Sequence, residues 1–264
     1  MTLFHTIASG SSGNAALFSD GGVHILIDMG ISCRRTVTAL AQLGVRPEEL
    51  SAILITHEHT DHIQGLATYI KKYRTPILCS PGTARQLRYR LAGVEPLLRT
   101  VPLGGRERCG HVEITLLPTC HDCRESSAFR LDTGDTALGY LTDTGCIPEE
   151  TASALLGCQL LVLESNHDVE WLRSGPYPYY LKERILGAYG HLSNDDAARF
   201  AVEMAQRGTR EIVLAHLSRE NNTPARALDT VQRALDAADC TVRLSAAPRC
   251  EVCRYEVEVL PCRK

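Results

Sequence analysis

The sequence predicts an α/β fold in which two β-sheets pack together with helices on the outside. Three observations carry this. Both halves of the chain run from strand-like segments into alternating strand and helix. The apolar run ILIT (53–56) ends abruptly in a cluster of His and Asp residues just before a helix-like stretch. No segment rich in Pro, Gly or Ser is long enough to be a linker, so residues 1–264 read as one domain.

The chain opens as β structure. LFHTIAS (3–9) and NAALFS (14–19) flank a Gly/Ser turn, and HILIDMG (24–30) makes a third apolar strand. SCRRTVTALAQLG (32–44) reads as a helix with Ser32 as N-cap and Gly44 just past its end. SAILIT (51–56) is a short buried strand, IQGLATYIKKY (63–73) a helix and PILCS (76–80) a strand. PGTARQLRYRLAG (81–93) is a helix with Leu87 and Leu91 on one face. Residues 111–143 resemble a run of short strands, HVEITLLPT, SSAFRLDT and TALGYLTDT. Alternation returns with the helix IPEETASALLG and the strand CQLLVLES, followed by helices at about 178–187 and 193–207. After the strand EIVLAHLS comes the helix TPARALDTVQRALDAA, with Thr223 as cap and Pro224 in its first turn. Strand-like segments close the chain.

With 44% hydrophobic and 22% charged residues the composition is that of a globular protein, neither disordered nor fibrous. No apolar run approaches the roughly 18–20 residues of a membrane span, and the N-terminus lacks the basic start and long apolar stretch of a signal peptide. A cytoplasmic protein is expected. The eleven cysteines are then expected as free thiols. The pairs Cys120/Cys123 and Cys250/Cys253 have zinc-ligand spacing, but they lie too far apart in sequence for a zinc ribbon. The net charge of −3 is unevenly spread: Lys71 to Arg108 holds nine Lys or Arg against two Glu, a net +7. Such a surface can attract a polyanion; charge alone favours a solvated face balanced by the fold.

His57, His59, Asp61 and His62 fall within six positions. The i, i+2 spacing of His57 and His59 does not suit a helix face but does suit an extended loop leaving a strand, where alternate side chains point the same way. Asp61 and His62 can turn toward the same cavity from the other side. Imidazole and carboxylate donors of this kind hold zinc, manganese or iron.

This H-x-H-x-D-H signature on such a framework resembles the metallo-β-lactamase superfamily, whose members have a four-layer αββα sandwich with a one- or two-metal site between the sheets. The resemblance implies further ligands at downstream strand ends: His121 in LLPTCHD, Asp143 in YLTDTG and His216 in IVLAHLS. Asp28, in ILIDMG, matches a carboxylate that supports the metal loop. By resemblance one divalent ion takes His57, His59 and His121, a second takes Asp61, His62 and His216, and Asp143 joins them. Such a pair would bring a bridging water toward hydroxide near neutral pH, which supports metal-assisted hydrolysis.

SGSSGNA (9–15), LESNHD (163–168), GHLSN (190–194) and HLSRENNTPARA (216–227) together resemble the bacterial YycJ/WalJ group of that superfamily, described as exonuclease-like phosphodiesterases. CHDC departs from the group, since cysteines do not normally flank the third histidine. His191 stands beside a helix N-terminus, with Ser193 or Asn194 as cap, where it can meet a phosphate and give a proton to a leaving oxygen. In similar tRNase Z-like enzymes a histidine has this role with a nearby glutamate, which makes Glu164 the partner here, joining Asp61 and His191 as catalytic residues. Substrate contacts are expected from Ser11, Asn14, His167, Asn194, Arg85 and Arg88. His167 reads equally as a histidine bonded to a local backbone carbonyl, and SGSSGN equally as a tight turn needing Gly. The expected function is a dinuclear-metal phosphodiesterase or nuclease acting on DNA or RNA, with a 5′ exonuclease as one form. The alternatives are a small-molecule hydrolase of the same fold, acting on a cyclic phosphodiester, thioester or lactam, and a metal-dependent binding protein. A homodimer is compatible with the fold.

Overall fold

A computed structural model describes residues 1–257. Seven strands form a first sheet: β1 (Thr2–Ala8), β2 (Ala15–Asp20), β3 (Val23–Ile27), β4 (Ala52–Leu54), β5 (Ile77–Cys79), β6 (Leu98–Thr100) and, at its edge beside β1, the last described strand. The second sheet holds β7 (Arg106–Cys109), β8 (Val112–Pro118), β9 (Ser127–Asp132), β10 (Ala137–Leu141), β11 (Leu160–Glu164), β12 (Glu211–Ala215) and β13 (Arg243–Ala246). The last strand is β14 (Cys253–Val257). Helices α1 (Cys33–Gln42), α2 (Thr60–Ile63), α3 (Leu66–Tyr69) and α4 (Pro81–Arg90) belong to the first half. To the second belong α5 (Glu149–Leu155), α6 (Val169–Ser174), α7 (Tyr179–Leu186), α8 (Asn194–Gln206) and α9 (Pro224–Ala237).

Three apolar layers explain the αββα order. Between the sheets Phe4, Phe18, Ile27, Leu54, Leu116, Phe129, Tyr140 and Val162 interlock. Outside the first sheet, Leu26 and Ile53 meet Leu40, Leu66, Tyr69 and Leu87 of α1, α3 and α4. Outside the second, Leu161, Leu163 and Leu214 meet Leu155, Phe200, Met204 and Val231 of α5, α8 and α9. The central strands β4, β10 and β11 are buried at every position, as strands covered on both faces must be. Each fully buried Leu, Ile or Phe contributes about 1.5–3 kcal/mol.

Three helix caps form where the sequence places them, and Ser80, read as the last residue of a strand, supplies a fourth. Ser32, Ser80, Ser193 and Thr223 each accept a backbone N–H of the following first turn. Residues 63–73 depart from the expected helix. Asp61 O and His62 O, which would accept from the next turn, instead accept Asn14 N and Met29 N at 2.8 Å each, and Gly65 N turns out to Met29 O. The helix therefore breaks into α2 and α3, and the His57–His62 loop is pinned to the residues just before β2 and just after β3. β6, β7 and α6 were not evident in the sequence; β7 is an edge strand of charged, exposed residues without an apolar pattern.

Candidate metal centre

Strand register converges the site. β3 and β4 run parallel with Ile27 opposite Leu54, so Asp28 leaves its strand beside the start of the histidine loop. In the second sheet β10, β11 and β12 are parallel, with Leu141 opposite Leu163 and Glu164 opposite Ala215. Asp143, Glu164 and His216 thus emerge side by side at the carboxyl ends of three strands, where α/β folds place their sites. Ser127 N and Oγ both donate to Thr56 O, tying this edge to the first sheet. Asp28, Asp143 and His216 have φ of 58°, 57° and 54°. Three of the four non-glycine residues in the left-handed region among the described residues therefore lie here, each such backbone costing about 1–3 kcal/mol.

The donors form overlapping groups: His57, His59 and His121; Asp61, His62 and His216; His57, His62 and Asp143; and Asp143, Glu164, His191 and His216, each with its ligating atoms within 4.8 Å of one another. His57 Nε2 and Asp143 Oδ2 are buried without a hydrogen-bond partner. His121 Nε2 faces His59 Nδ1 at 3.2 Å. Unpartnered ligand atoms at the centre of a buried polar cluster fit a cation, and the chemistry of the imidazole and carboxylate donors fits a divalent metal.

Partners outside the cluster fix the rings. His62 Nδ1 donates to Asp28 Oδ2 at 2.8 Å, His121 Nδ1 to Gly190 O at 3.1 Å, and His216 Nδ1 to Glu164 Oε1 at 2.9 Å. In each case Nε2 is left as a lone pair turned into the cluster, the arrangement metal-binding histidines use. Asp28, fully buried, also accepts Thr56 N at 2.9 Å and the Thr56 hydroxyl. His191 Nδ1 donates to the same Glu164 Oε1 at 2.8 Å, while Glu164 Oε2 accepts Thr144 N at 2.8 Å and Leu192 N at 3.3 Å.

Charge follows this wiring. Burial holds His57 well below the usual imidazole range, and neighbouring histidines add to the effect. Burial also opposes charge on His62, His191 and His216, but carboxylates outweigh it: Asp143 and Asp28 hold His62 high, Glu164 holds His191 high, and Asp143 with Asp61 and Glu164 pushes His216 up to about 10. Glu164, buried, and Asp61, half-buried, lose hydration that would raise them yet are held below the usual carboxylate range by their histidine partners. These protons are what a bound cation would displace.

A cavity of about 180 Å³ opens beside His191, lined by Ser11, Asp122, Asn166, Tyr177, Leu181, Arg184, Ile185, Gly190, His191 and Ser218. Among the expected substrate contacts Ser11 borders it. Asn14 does not; it is buried, with Oδ1 accepting Gly10 N and Nδ2 against His62 Nε2 and Asp61 O. Asn194 is buried in a network with Ser165 and Asn222. His167 is 1% exposed and both its ring nitrogens lack partners, so neither a substrate contact nor the carbonyl-bonded ring is found. Arg85 and Arg88 lie on the exposed face of α4 and do not line the cavity; Arg88 is paired with Glu95. Two other cations touch residues of the site: Arg90, which donates to Glu58 O at 2.7 Å, and Arg184, which lines the cavity and is paired with Asp122.

Sequence reasoning overlooked Thr56, the double duty of Glu164, and the SGSSGN turn as a clasp. Ser9 Oγ accepts His216 N at 2.8 Å while Asn14 N reaches Asp61 O, so one turn holds loops from both sheets. No signal local to these residues distinguishes such roles. All ten described cysteines are free, and none joins a group of three or more close metal donors among the described residues. No described helix is long and apolar enough to cross a membrane.

The beta-lactamase superfamily domain model matches residues 24–217. The chain is 35% identical over 242 residues to exodeoxyribonuclease WalJ of Streptococcus pneumoniae serotype 2, covering 90% of each. It is 32% identical over 234 residues to exodeoxyribonuclease YycJ of Bacillus anthracis, covering 88% of this chain and 89% of that one. The crystal structure of the metallo-beta-lactamase fold protein YhfI from Bacillus subtilis superposes with a TM-score of 0.73 at 18% identity, covering 97% of this chain and all of that one.

Proposed function

Because the chain belongs to the beta-lactamase superfamily, in its WalJ/YycJ group, we propose that it is a metal-dependent phosphodiesterase that removes nucleotides from DNA ends in the cytoplasm. The observation that carries this is the Glu164-braced His191 beside seven clustered His and Asp donors. His57, His59 and His121 would hold one divalent ion, Asp61, His62 and His216 a second, with Asp143 between them. When bound, the ions supply Lewis-acid polarisation of the phosphoryl group and a lowered water pKa.

The chain's own residues supply the rest. His191 reaches the cavity with its side chain 23% exposed, and its Nδ1 is fixed on Glu164. Glu164 orients the ring and holds the imidazole above its ordinary pKa, so Nε2 keeps a proton to give the departing sugar oxygen. The narrow cavity suits a strand terminus better than the middle of a duplex.

The test uses metal-stripped protein reloaded with Mn²⁺ or Zn²⁺ and end-labelled oligonucleotides. Digestion should need the metal, metal analysis should return two ions per chain, and Asp61→Ala and His59→Ala should abolish digestion while circular dichroism is unchanged. His191→Ala should lower the rate by about 10²–10⁴-fold. Equal digestion by wild type and Asp61→Ala would identify a contaminant. The same narrow cavity favours, as a second reading, a small cyclic phosphodiester substrate; binding that grows with strand length and falls steeply with salt separates the polymer from it.

A further inference from the structure

The segment joining β11 to His191 carries an unusual surface. Four of the nine tyrosines and the one tryptophan lie between Trp171 and Tyr189. Tyr179, Tyr180 and Tyr189 are 77%, 74% and 66% exposed, and α7 buries none of its residues. Rings this exposed gain no core energy, so the fold alone gives no reason for them.

The helix is nevertheless fixed against the site. Leu181, Arg184 and Ile185 of α7, with Tyr177 just before it, line the same cavity as His191. Tyr180 stands one turn from Arg184, on the same helix face. Past the helix, His191 N donates to Ile185 O at 3.0 Å and Gly190 O accepts His121 Nδ1. Gly190 has no room for a side chain, since a Cβ there would lie 2.2 Å from Ile185 O. Pro176 and Pro178 restrict the approach to α7, and Pro178 serves as its N-cap residue. The tyrosines therefore sit on a scaffold positioned by the catalytic loops, with Lys182, whose Nζ donates to Arg173 O, as a cation on the same helix; Arg184 is paired with Asp122, and Glu183 lies between them.

We infer that Tyr179, Tyr180 and Tyr189 form a stacking platform for unpaired bases, so the substrate is a single-stranded DNA end that crosses α7 before its terminal phosphodiester reaches His191. The occupant follows from chemistry on this surface: planar exposed rings, the charge of Lys182, and continuity of the segment with the cavity through Tyr177 and Leu181. Aromatic rings tolerate any base, as a sequence-independent exonuclease requires. This inference rests on the nuclease reading and assigns its strand preference.

The experiment measures binding of a fluorescent single-stranded oligonucleotide in EDTA, together with metal-loaded cleavage of the oligonucleotide and of bis-p-nitrophenyl phosphate. Tyr179→Leu and Tyr180→Leu should each weaken strand binding about tenfold and slow strand digestion, whereas Tyr179→Phe and Tyr180→Phe, which keep the ring, should match wild type. Hydrolysis of bis-p-nitrophenyl phosphate and the melting temperature should be unchanged in all four. Wild-type affinity and digestion in both leucine variants would overturn the platform while leaving the nuclease reading intact. Loss in the phenylalanine variants equal to that in leucine would also overturn it. So would a wild-type dimer that the leucine variants dissociate, which would make this face a contact between two copies of the chain. Failure of the wild type to bind or cut any oligonucleotide would instead remove the nuclease reading, and the platform with it.

Discussion

Asp28→Asn isolates one negative charge at the base of the metal loop. Asparagine keeps the shape of aspartate and tolerates the left-handed backbone that Asp28 adopts at φ 58°, so no strain is added. What changes is the pattern of donors and acceptors. Asp28 accepts from His62 Nδ1 on one oxygen and from Thr56 N on the other, in complete burial. Asparagine has one oxygen and one NH₂ to place. If the oxygen faces His62, the NH₂ meets the Thr56 N–H, and a buried donor is left unpaired at a cost of about 1–3 kcal/mol. If the oxygen faces Thr56, the NH₂ donates to His62 Nδ1, moves the ring proton to Nε2 and directs it into the metal cluster. Either way metal affinity should fall by about 10–100-fold, the usual loss when a ligand's supporting hydrogen bond is changed, which corresponds to about 1.4–2.7 kcal/mol. Competition with a fluorescent chelator measures the affinity, and urea unfolding in EDTA measures the metal-free stability. Wild-type values in both would refute the argument that this carboxylate sets the His62 tautomer.

Two further outcomes follow from the same geometry. A Cβ at Gly30 would sit 1.6 Å from Asp61 O, so Gly30→Ala should push the metal loop away, with metal content and digestion lost together; retention of two ions per chain would show that the loop can yield. His167 is held at a pKa of about 4 by burial, against 6.5 for the free side chain, so the unfolded chain takes up the extra proton and stability is lost as pH falls from about 6.5 toward 4. At about 1.36 kcal/mol per pH unit this contributes roughly 3 kcal/mol of acid destabilisation, which His167→Leu should remove without breaking a hydrogen bond. Urea unfolding in EDTA at pH 7, 6 and 5 checks it, and identical slopes in wild type and variant would contradict the burial argument.

Much of the fold could be read locally because its determinants are local. Ser32, Ser193 and Thr223 announce helix starts with a side-chain oxygen that finds an N–H three residues on. The short apolar runs of β4 and β11 announce buried strands because both faces must be covered. The loop from His57 to His62 was legible for a similar reason: chemistry that needs several donors in one place leaves an improbable local density of them. β7 escaped because its residues are exposed and charged, and its place in the sheet depends wholly on pairing with β8. The helix over 63–73 was misread because its break is imposed by Asn14 and Met29, which take the carbonyls of Asp61 and His62 and the N–H of Gly65 from far away in sequence.

What the sequence by itself determined is therefore the inventory: which segments become strands or helices, and which histidines and aspartates are offered at their ends. Only the tertiary structure decided how those side chains are used. It set one glutamate between His191 and His216, turned Asn14 and Asn194 inward as braces, placed Arg85 and Arg88 away from the cavity, and left Tyr179, Tyr180 and Tyr189 exposed on the segment that leads to His191. The physical reason is range. Caps and apolar periodicity act within a turn or two of the chain, whereas hydrogen-bond partners at the site are chosen by sheet register across separations such as the 207 residues from Ser9 to His216.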